Sequence, residues 1–452
     1  MKYKSSKYNI DVGKNQYGDI ILFNTITSAM ITISLELYEL ISNDFIELEN
    51  LIHQDLKDVQ QLIELGILVE SEFDETLNLE MLGEKEKYRT DKELHITIAP
   101  TMACNMKCPY CFQTKEINET IMKLEICDQV VDFIQKRILG RPYLHITWFG
   151  GEPLLAMKQI AYISSKLIEI CTDNNVIYNS SIVTNGYNLT RENVLDLSRK
   201  YMVSSVQVTI DGLKEQHNRK RILKESGDGF SRIIRNVKFA SDYLRVVIRV
   251  NVDNENKSTL IDLIDYLLVN QELAGKVSIG ISPVFDFDDK KNCNYGDYCT
   301  KDSWNSESLK ALKHFVKLDH IDNFASAAMQ ASLASCSANL YESFIFDSDG
   351  DIYKCFLSFG KKKYSIGHVN DINKNQYLVN NRKHKMWIDA KHSFECNECQ
   401  YLPLCQSGCL FERLEKGKSH ICFKSKDNIK QILMEMYLFF YSLEKTENNL
   451  LK

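Results

Sequence analysis

The feature that most constrains this chain is its set of 14 cysteines, most of which fall into two clusters. Cys104, Cys108 and Cys111 form a Cys-X3-Cys-X2-Cys loop, and seven more lie between Cys336 and Cys422. The N-terminus is basic but has no following apolar run, so no secretory signal is visible. We therefore expect a cytoplasmic protein with reduced thiols, and clustered reduced thiols are typical of metal sites.

Composition and charge argue against several classes of protein. The chain has 452 residues, 44% of them hydrophobic and 26% charged, which is an ordinary globular composition for two or three domains. Its 55 basic and 61 acidic residues give a net charge of −6, which disfavours binding to duplex nucleic acid or an anionic membrane surface. No stretch approaches the roughly 18 to 20 apolar residues of a membrane span. We expect neither a nucleic-acid partner nor a membrane partner.

From residue 94 onward, short β-rich runs alternate with helical stretches. This alternation indicates parallel βαβ units, so the predicted fold class is α/β, with a partial (β/α)6 TIM-like barrel whose chemistry lies at the carboxyl ends of the strands. The predicted strands are 95–99, 143–149, 180–184, 205–210, 245–252 and 276–281, and the predicted helices are 120–139, 158–172, 191–200, 230–243 and 258–270.

The segments on either side of the barrel predict further domains. A hairpin at 8–21 followed by helices at 34–42 and 47–65 indicates a winged helix-turn-helix domain. DNA binding is one interpretation, but these helices lack a Lys/Arg cluster for phosphates, so a peptide-binding element with an exposed strand edge is favoured. The predicted domains are 1–75 (winged helix), 76–93 (charged linker), 94–285 (barrel), 286–335 (bridging region), 336–425 (Cys-rich domain) and 426–452 (C-terminal helix).

The first cysteine cluster directly follows the first predicted barrel strand. Three thiolates on a short loop can bind three irons of a [4Fe-4S] cluster and leave the fourth iron open to another ligand. A structural zinc site is the alternative, but it normally needs four protein ligands. The nearest further thiol, Cys127, falls inside a predicted helix and is more simply a buried side chain.

The segment Cys104-Asn-Met-Lys-Cys108-Pro-Tyr110-Cys111-Phe112 resembles the signature of radical S-adenosylmethionine (SAM) enzymes. The resemblance implies that the open iron chelates SAM and that Tyr110 and Phe112 belong to the cofactor site. It also implies that an electron from the cluster cleaves SAM to a 5′-deoxyadenosyl radical, which removes a hydrogen atom from the substrate. A flavodoxin or ferredoxin is the electron donor that such a family implies.

Motifs at the later strand ends resemble the SAM-binding positions of the same family. Each motif also has a plainer interpretation, because Asn-Gly and Asp-Gly are common turns and an arginine can serve as an ion-pair partner. Arg219 and Arg221 lie in a basic run that fits either an anion contact or a solvated loop. By resemblance, the predicted cofactor-binding residues are Gly150, Gly151, Glu152, Pro153, Thr184, Asn185, Thr209, Asp211 and Arg249.

The second cysteine cluster has two interpretations. Its Cys-X2-Cys and Cys-X3-Cys pairs fit zinc knuckles. The full seven-Cys pattern, with Gly350, resembles the SPASM extension of radical SAM enzymes, which implies two auxiliary [4Fe-4S] clusters and three clusters in all. By that resemblance the outer cluster is held by Cys396, Cys399, Cys405 and Cys422, and the inner one by Cys336, Cys355 and Cys409.

The fourth ligand of the inner cluster stays open at this point. Cys299 and Cys293 lie upstream in a Cys-X5-Cys loop, with Cys299 the better candidate. One alternative is an open iron that binds a substrate thiolate, and the two cysteines would then be a redox-active pair or two unligated thiols. Cys127 and Cys171 fall in predicted helices and are expected to be inert.

The resemblance as a whole is to SPASM-type peptide maturases whose N-terminal domain recognises a leader peptide by β-augmentation. It implies a precursor-peptide substrate and, most specifically, thioether cross-links from Cys to carbon. Carbon-carbon cross-linking, epimerisation and formylglycine formation of the anaerobic sulfatase type are the alternatives. For the last of these an acidic residue typically follows the position of Cys355, and here it is Phe356. A non-catalytic, zinc-binding winged-helix regulator is the competing hypothesis from another class.

Overall fold

The chain divides into two compact units in a computed structural model. The first unit contains residues 1–86, 301–335 and 391–452, and the second contains 87–300 and 336–390. The structure describes residues 1–43, 45–89, 91–113, 119–284, 297–318, 320, 331–333, 336–375, 381–422 and 426–450.

The strands of both units are short and mostly follow the predicted hydrophobic runs. In chain order they are β1 (Lys2–Ser5), β2 (Asn9–Lys14), β3 (Ile20–Asn24), β4 (Met30–Ile33), β5 (Ile46–Glu47), β6 (Leu68–Glu70), β7 (Leu94–Ile98), β8 (Tyr143–Trp148), β9 (Ile177–Thr184), β10 (Val203–Thr209), β11 (Arg245–Val252), β12 (Val277–Pro283), β13 (Ser343–Phe346), β14 (Asp351–Tyr353) and β15 (Gly367–His368).

The helices alternate with β7–β12 in the second unit and flank the small sheets of the first. They are α1 (Leu35–Ile41), α2 (His53–Glu64), α3 (Glu75–Lys87), α4 (Leu124–Ile138), α5 (Met157–Asp173), α6 (Arg191–Arg199), α7 (Lys214–Lys220), α8 (Gly229–Ala240), α9 (Leu260–Asp265), α10 (Lys301–Lys317), α11 (Val369–Asn375), α12 (Asn381–Ile388), α13 (Leu402–Cys405), α14 (Leu410–Lys416) and α15 (Lys426–Leu450). None of them, within the described residues, is long and apolar enough to cross a membrane.

The second unit is built on a nine-stranded sheet in the order β12-β11-β10-β9-β8-β7-β13-β14-β15. Strands β7 to β12 are parallel neighbours in chain order, as a series of βαβ units requires. Along β11 buried residues alternate with more exposed ones, and the apolar side chains of α8 are buried. The predicted α/β fold is confirmed, and the six predicted strands match β7 to β12. The parallel part resembles a partial TIM barrel.

Strands β13 to β15 extend this sheet beyond the predicted barrel. Strand β13 pairs in parallel with β7, and β14 and β15 continue the sheet in antiparallel pairs. All four residues of β13 are buried, so it has none of the alternation by which a half-exposed strand is found in a sequence. Sequence 336–375, which has little periodicity, therefore contributes to the same sheet as the barrel strands.

The first unit contains two three-stranded sheets, β5-β1-β6 and β2-β3-β4. One apolar core joins Tyr3 and Leu68 to residues of α1 and α2. A second core joins Val12 and Phe23 to Leu433 of α15, which confirms that a helix follows residue 426. The hairpin and both predicted helices are present, and the assignment of a winged helix-turn-helix domain stays a prediction.

The charged segment 76–93, predicted as a linker, contains most of α3. Its sequence is rich in Glu, Lys and Leu, which favour a helix, but it has no apolar stripe, so periodicity did not reveal it. The predicted domain boundaries as a set stay a prediction.

Candidate functional site at the carboxyl ends of the barrel strands

The loop of the first cysteine cluster follows β7 and is held by backbone hydrogen bonds. The amide of Lys107 donates to the carbonyl oxygen of Ile222 (2.7 Å), and the amide of Lys224 donates to the carbonyl oxygen of Asn105 (2.8 Å). Since residues 222–224 follow α7, the loop is tied to another segment of the same unit. The protein backbone alone therefore sets much of the path of this loop.

Gly150 and Gly151, which follow β8, lie directly against this loop. A Cβ atom on Gly150 would lie 2.4 Å from the carbonyl oxygen of Thr101. One on Gly151 would lie 2.2 Å from the carbonyl oxygen of Ala103 and 2.4 Å from that of Met102. Only glycine permits such an approach of two backbones, and Gly150 also has a φ of +124°. The predicted Gly-Gly motif thus positions the cysteine loop against the end of β8.

Glu152 is completely buried and joins three neighbouring segments. Its carboxylate accepts hydrogen bonds from the Thr184 hydroxyl (2.6 Å), the Asn185 amide (2.8 Å) and the Leu154 amide (3.1 Å). Its own amide donates to the carbonyl oxygen of Ala103 (2.8 Å). Burial raises the pKa of this carboxyl, and the three hydrogen bonds oppose that rise. Glu152 therefore holds the ends of β8 and β9 against the cysteine loop.

A second buried carboxylate, Asp211, organises the ends of β10 and β11. Tyr110 donates its hydroxyl hydrogen to Asp211, and the Arg221 guanidinium donates to the Tyr110 hydroxyl oxygen (2.8 Å). Arg221 also lies 3.5 Å from the Asp211 carboxylate. The Asn251 amide donates to the other carboxylate oxygen (2.8 Å). This network ties Tyr110, two positions after Cys108, to the barrel.

The remaining predicted cofactor residues lie at the same strand ends. The side-chain Nδ2 of Asn185 donates to the Asn105 side-chain oxygen (2.6 Å) and lies 3.9 Å from the Cys104 sulfur. Thr209 and Arg249 are partners in the β10–β11 register. Arg249 donates to the Asn251 side chain (3.1 Å), and burial lowers the pKa of its guanidinium. These contacts place the predicted cofactor-binding residues at the same edge of the sheet.

A group of aromatic rings lies beside the two glycines. Phe149 packs edge-on against Phe356, with ring centroids 4.7 Å apart, and stacks with Phe359 at 5.9 Å. Phe112 stacks on Phe149 at 6.5 Å and is 43% exposed. Pro153, next to Glu152, is buried. An apolar surface thus runs from the first cysteine loop to the residue after Cys355.

The three thiols of the first cluster have the chemistry that an iron-sulfur cluster needs. Burial raises the pKa of both Cys104 and Cys108 to about 11, with Arg221 opposing the rise. Cys108 is close enough to Cys104, and Cys111 to Cys108, for their charges to interact. Soft thiolates suit iron-sulfur clusters, and a bound cation would favour their deprotonation.

Among the described residues, no group of three or more His, Cys, Asp or Glu side chains is arranged so that it could hold a metal ion. The cluster assignment therefore rests on spacing, donor chemistry and placement at the strand ends. The predicted inert thiols, Cys127 and Cys171, lie on the buried faces of α4 and α5.

In the first unit, tight turns bring together much of the second cysteine cluster. The Cys399 amide donates to the Cys396 carbonyl (2.9 Å), and the Gly408 amide donates to that of Cys405 (2.9 Å). The Ile421 amide, beside Cys422, donates to the Ser407 carbonyl (3.0 Å). A Cβ on Gly408 would lie 2.0 Å from the Ile421 carbonyl oxygen, so the chain crosses itself closely here. Burial raises the pKa of Cys396, and the neighbouring Cys399 and Cys422 add to that rise.

The predicted inner-cluster residues lie in both units. Cys336 and Cys355 belong to the second unit, and Cys409 belongs to the first. Cys299 is buried in the second unit, where its thiol lies 3.4 Å from the Val252 carbonyl oxygen. Cys293 lies outside the described residues.

Sequence reasoning left the role of Arg221 open and missed the buried His217. Arg221 is buried in the Asp211 network, whereas Arg219, two residues earlier, is 65% exposed and pairs with Glu255. His217 accepts a hydrogen bond from the Asp211 amide (3.3 Å). His217 and Arg219 lie in α7, a helix that the pattern did not predict, and Arg221 directly follows that helix.

Residues 98–267 match the family model described as the radical SAM superfamily. This part of the chain is a radical SAM domain. The segment contains the first cysteine cluster and every strand end described above, so the predicted resemblance is confirmed at this level.

Three comparisons extend beyond that domain. The cysteine-type anaerobic sulfatase-maturating enzyme of Clostridium novyi is 27% identical over 70% of this chain and 88% of that protein. The structure of native anSMEcpe with bound AdoMet and Cp18Cys peptide has a TM-score of 0.58 at 21% identity, over 79% of this chain and 99% of that one. Streptococcus suis SuiB bound to precursor peptide SuiA has a TM-score of 0.55 at 14% identity, over 94% of this chain and 99% of that one. The last two show a shared fold.

Proposed function

We propose that this chain is a radical SAM enzyme that forms Cys-to-carbon thioether cross-links in a ribosomally made precursor peptide. The observation that carries the proposal is the first cysteine loop, held against Gly150 and Gly151 at the carboxyl ends of parallel strands. In a parallel barrel, that edge is where catalytic groups belong. The second cysteine cluster in the same chain supports peptide modification over other radical chemistry.

Cys104, Cys108 and Cys111 would hold a [4Fe-4S] cluster. When bound, that cluster supplies the electron that cleaves SAM to methionine and a 5′-deoxyadenosyl radical. The chain's own task is to position SAM and exclude water. Glu152 and Asp211 also support that task through the fold, because each buried carboxylate fixes two strand ends around the loop. The cofactor-facing residues would be Tyr110, Phe112, Gly150, Gly151, Glu152, Pro153, Thr184, Asn185, Thr209, Asp211 and Arg249.

In the proposed reaction the radical takes one hydrogen atom from an acceptor carbon of the peptide. The substrate cysteine loses its proton, its sulfur bonds to that carbon, and one electron leaves. The peptide loses two hydrogen atoms in total. The departing electron would pass to two auxiliary [4Fe-4S] clusters, with Cys396, Cys399, Cys405 and Cys422 as ligands of the outer cluster and Cys336, Cys355 and Cys409 as ligands of the inner one. Cys299 is the proposed fourth inner ligand, with Cys293 or an open iron as the alternatives.

Formylglycine formation is the second candidate, because a sulfatase-maturating enzyme is among the relatives. One observation favours cross-linking over it. The position after Cys355 holds Phe356, whose ring packs on Phe149 beside the Gly-Gly turn. An aromatic ring cannot accept a proton there as a carboxylate can.

The first unit would recognise the substrate. We propose that residues 1–75 act as a winged-helix domain that pairs with the leader of the precursor peptide by β-augmentation. Tethering the leader raises the effective concentration of the core peptide at the site. A flavodoxin or ferredoxin would supply the electrons.

The test is a reaction of the anaerobically reconstituted chain with SAM, dithionite and the product of a short Cys-containing reading frame beside its gene. We expect 5′-deoxyadenosine, and a peptide that has lost two hydrogen atoms per modification and no longer alkylates at cysteine. The same mass loss with free thiols would mean carbon-carbon bonds, and an unchanged mass would mean epimerisation. Cys104→Ala should make no 5′-deoxyadenosine, and activity in that variant would refute the assignment of the first loop.

A further inference from the structure

Arg413 in α14 is a buried cation whose hydrogen bonding is incomplete. Its side chain lies in the first unit and the residue is only 7% exposed. Nη2 donates to the carbonyl oxygen of Lys391 (2.5 Å). Nε and Nη1 are buried and have no hydrogen-bond partner in the part of the chain that the structure describes. Buried N–H groups without acceptors are unfavourable, so an acceptor is expected to face them.

Among the described residues, no carboxylate accepts a hydrogen bond from Arg413 or forms an ion pair with it. The neighbouring acid Glu412 is paired with Lys416 at 2.8 Å. A guanidinium this deeply buried is rarely left without an anion, because the charge is costly to remove from water. The site therefore needs a negative group that the side-chain carboxylates do not supply.

Two proposed ligand cysteines, Cys409 and Cys396, lie close in the chain to the two carbonyl groups that Arg413 contacts. Its amide donates to the carbonyl oxygen of Cys409 (3.0 Å), which places Arg413 one helical turn after that residue. Its other anchor, Lys391, lies just before Ser393, whose carbonyl accepts from the Cys396 amide (2.9 Å). Burial lowers the pKa of Arg413, and Cys396 and Cys409 are the groups whose charges oppose that change.

We propose that Arg413 is a positioning residue for both auxiliary clusters, donating Nε–H and Nη1–H to the sulfurs of Cys396, an outer-cluster ligand, and Cys409, an inner-cluster ligand, once these are deprotonated. This inference rests on the proposed function, because it takes these cysteines as cluster ligands. The planar guanidinium can bond two acceptors while a third N–H holds the Lys391 carbonyl. Hydrogen bonds and positive charge at ligand sulfurs favour the reduced state of a cluster.

The test uses the full chain with Cys104, Cys108 and Cys111 all changed to alanine, so that only auxiliary clusters remain. In this parent we compare Arg413→Gln, Arg413→Lys and Arg199→Gln, the last being an exposed arginine on α6. Iron and sulfide are counted first, and the midpoint potentials of the remaining clusters are then measured by redox titration with electron paramagnetic resonance.

We expect Arg413→Gln to shift the auxiliary midpoint potentials to lower values, Arg413→Lys to restore part of the shift, and Arg199→Gln to leave them unchanged. Loss of iron in the Gln variant that Lys restores would also support the charge role. An unchanged potential at full iron content would overturn the inference, as would equal iron loss in both Arg413 variants, since that indicates packing alone. A parent without iron would overturn both the inference and the three-cluster proposal.

Discussion

The two cysteine-rich regions are held in place by different means. The first loop follows a strand of a nine-stranded sheet and is fastened by backbone bonds and by the buried carboxylates of Glu152 and Asp211. The second region, 391–422, consists of tight turns and the short helices α13 and α14. Its consecutive residues Gln406, Ser407 and Gly408 all have positive φ values of 51°, 61° and 85°.

This difference indicates that packing against the sheet stabilises the first loop, whereas metal binding would stabilise the second region. A non-glycine residue in the left-handed region costs about 1–2 kcal/mol, so the turn at 406–408 is strained. Metal binding can supply folding free energy to a segment that has little apolar core of its own. We therefore expect the first loop to keep its shape without a cluster and the second region to depend on one.

The largest effect is expected from Gly151→Ala. The new Cβ would meet two backbone oxygens within 2.4 Å, so the first loop must move away from β8. A displacement of about 1 Å at a reacting centre can cost about 100-fold in rate, and we expect 5′-deoxyadenosine formation to fall by at least that factor. Gly280→Ala, with no atom within 4 Å of its Cβ, is the control. Full activity of Gly151→Ala at normal iron content would show that close packing of Gly151 does not position the first loop.

Withholding iron should separate the two regions. In the metal-free chain, we expect amides of 396–422 to exchange hydrogen rapidly and amides of β8 to β11 to stay protected, because only the latter belong to a packed sheet. Hydrogen exchange with mass spectrometry, with and without iron reconstitution, measures this directly. Equal protection of both regions in the metal-free chain would contradict the expectation that only the second region depends on metal.

Gly408→Ala should weaken the second region more than Gly417→Ala. Both glycines have positive φ, so both substitutions cost about 1 kcal/mol through the backbone. Only at Gly408 would the Cβ also meet a carbonyl oxygen, that of Ile421 at 2.0 Å. We expect auxiliary iron to be lost from Gly408→Ala and retained in Gly417→Ala. Equal iron content in the two variants would show that this chain crossing is not needed for the clusters.

The smallest effect is expected from Glu152→Gln. A glutamine keeps one acceptor oxygen but turns an NH2 group toward a donor, so one hydrogen bond of the buried carboxylate is lost. The expected loss in free energy of unfolding is about 1–3 kcal/mol. Urea unfolding of the two proteins measures it, with exposed Glu49→Gln as the control. A stability equal to that of the unchanged chain would mean that Glu152 does not fasten the strand ends.

The barrel and its site were predictable because local signals agreed with the fold. Strands β7 to β12 combine β-rich runs with helices between them, and the motifs Gly150-Gly151-Glu152 and Thr209-Ile-Asp211 fall where strands end. The resemblance of the segment from Cys104 to Phe112 to a family signature predicted the radical SAM domain that the family model matches.

Other features depend on contacts distant in sequence. Strand β13 is buried throughout and pairs with β7 from almost 250 residues away, so no local period reveals it. Arg221 and Arg219 look alike in a basic run, and only the contacts of Arg221 with Tyr110 and Asp211 show that it is the buried one. Likewise, only the structure shows that Nε and Nη1 of Arg413 are buried without a hydrogen-bond partner among the described residues.

The most direct test of the account is the metal content of the anaerobically purified chain and of the variant with Cys104, Cys108 and Cys111 changed to alanine. Three [4Fe-4S] clusters predict about twelve irons per chain, with matching sulfide, falling to about eight in the variant. Zinc without iron or sulfide, or an iron content that the three substitutions leave unchanged, would contradict the account.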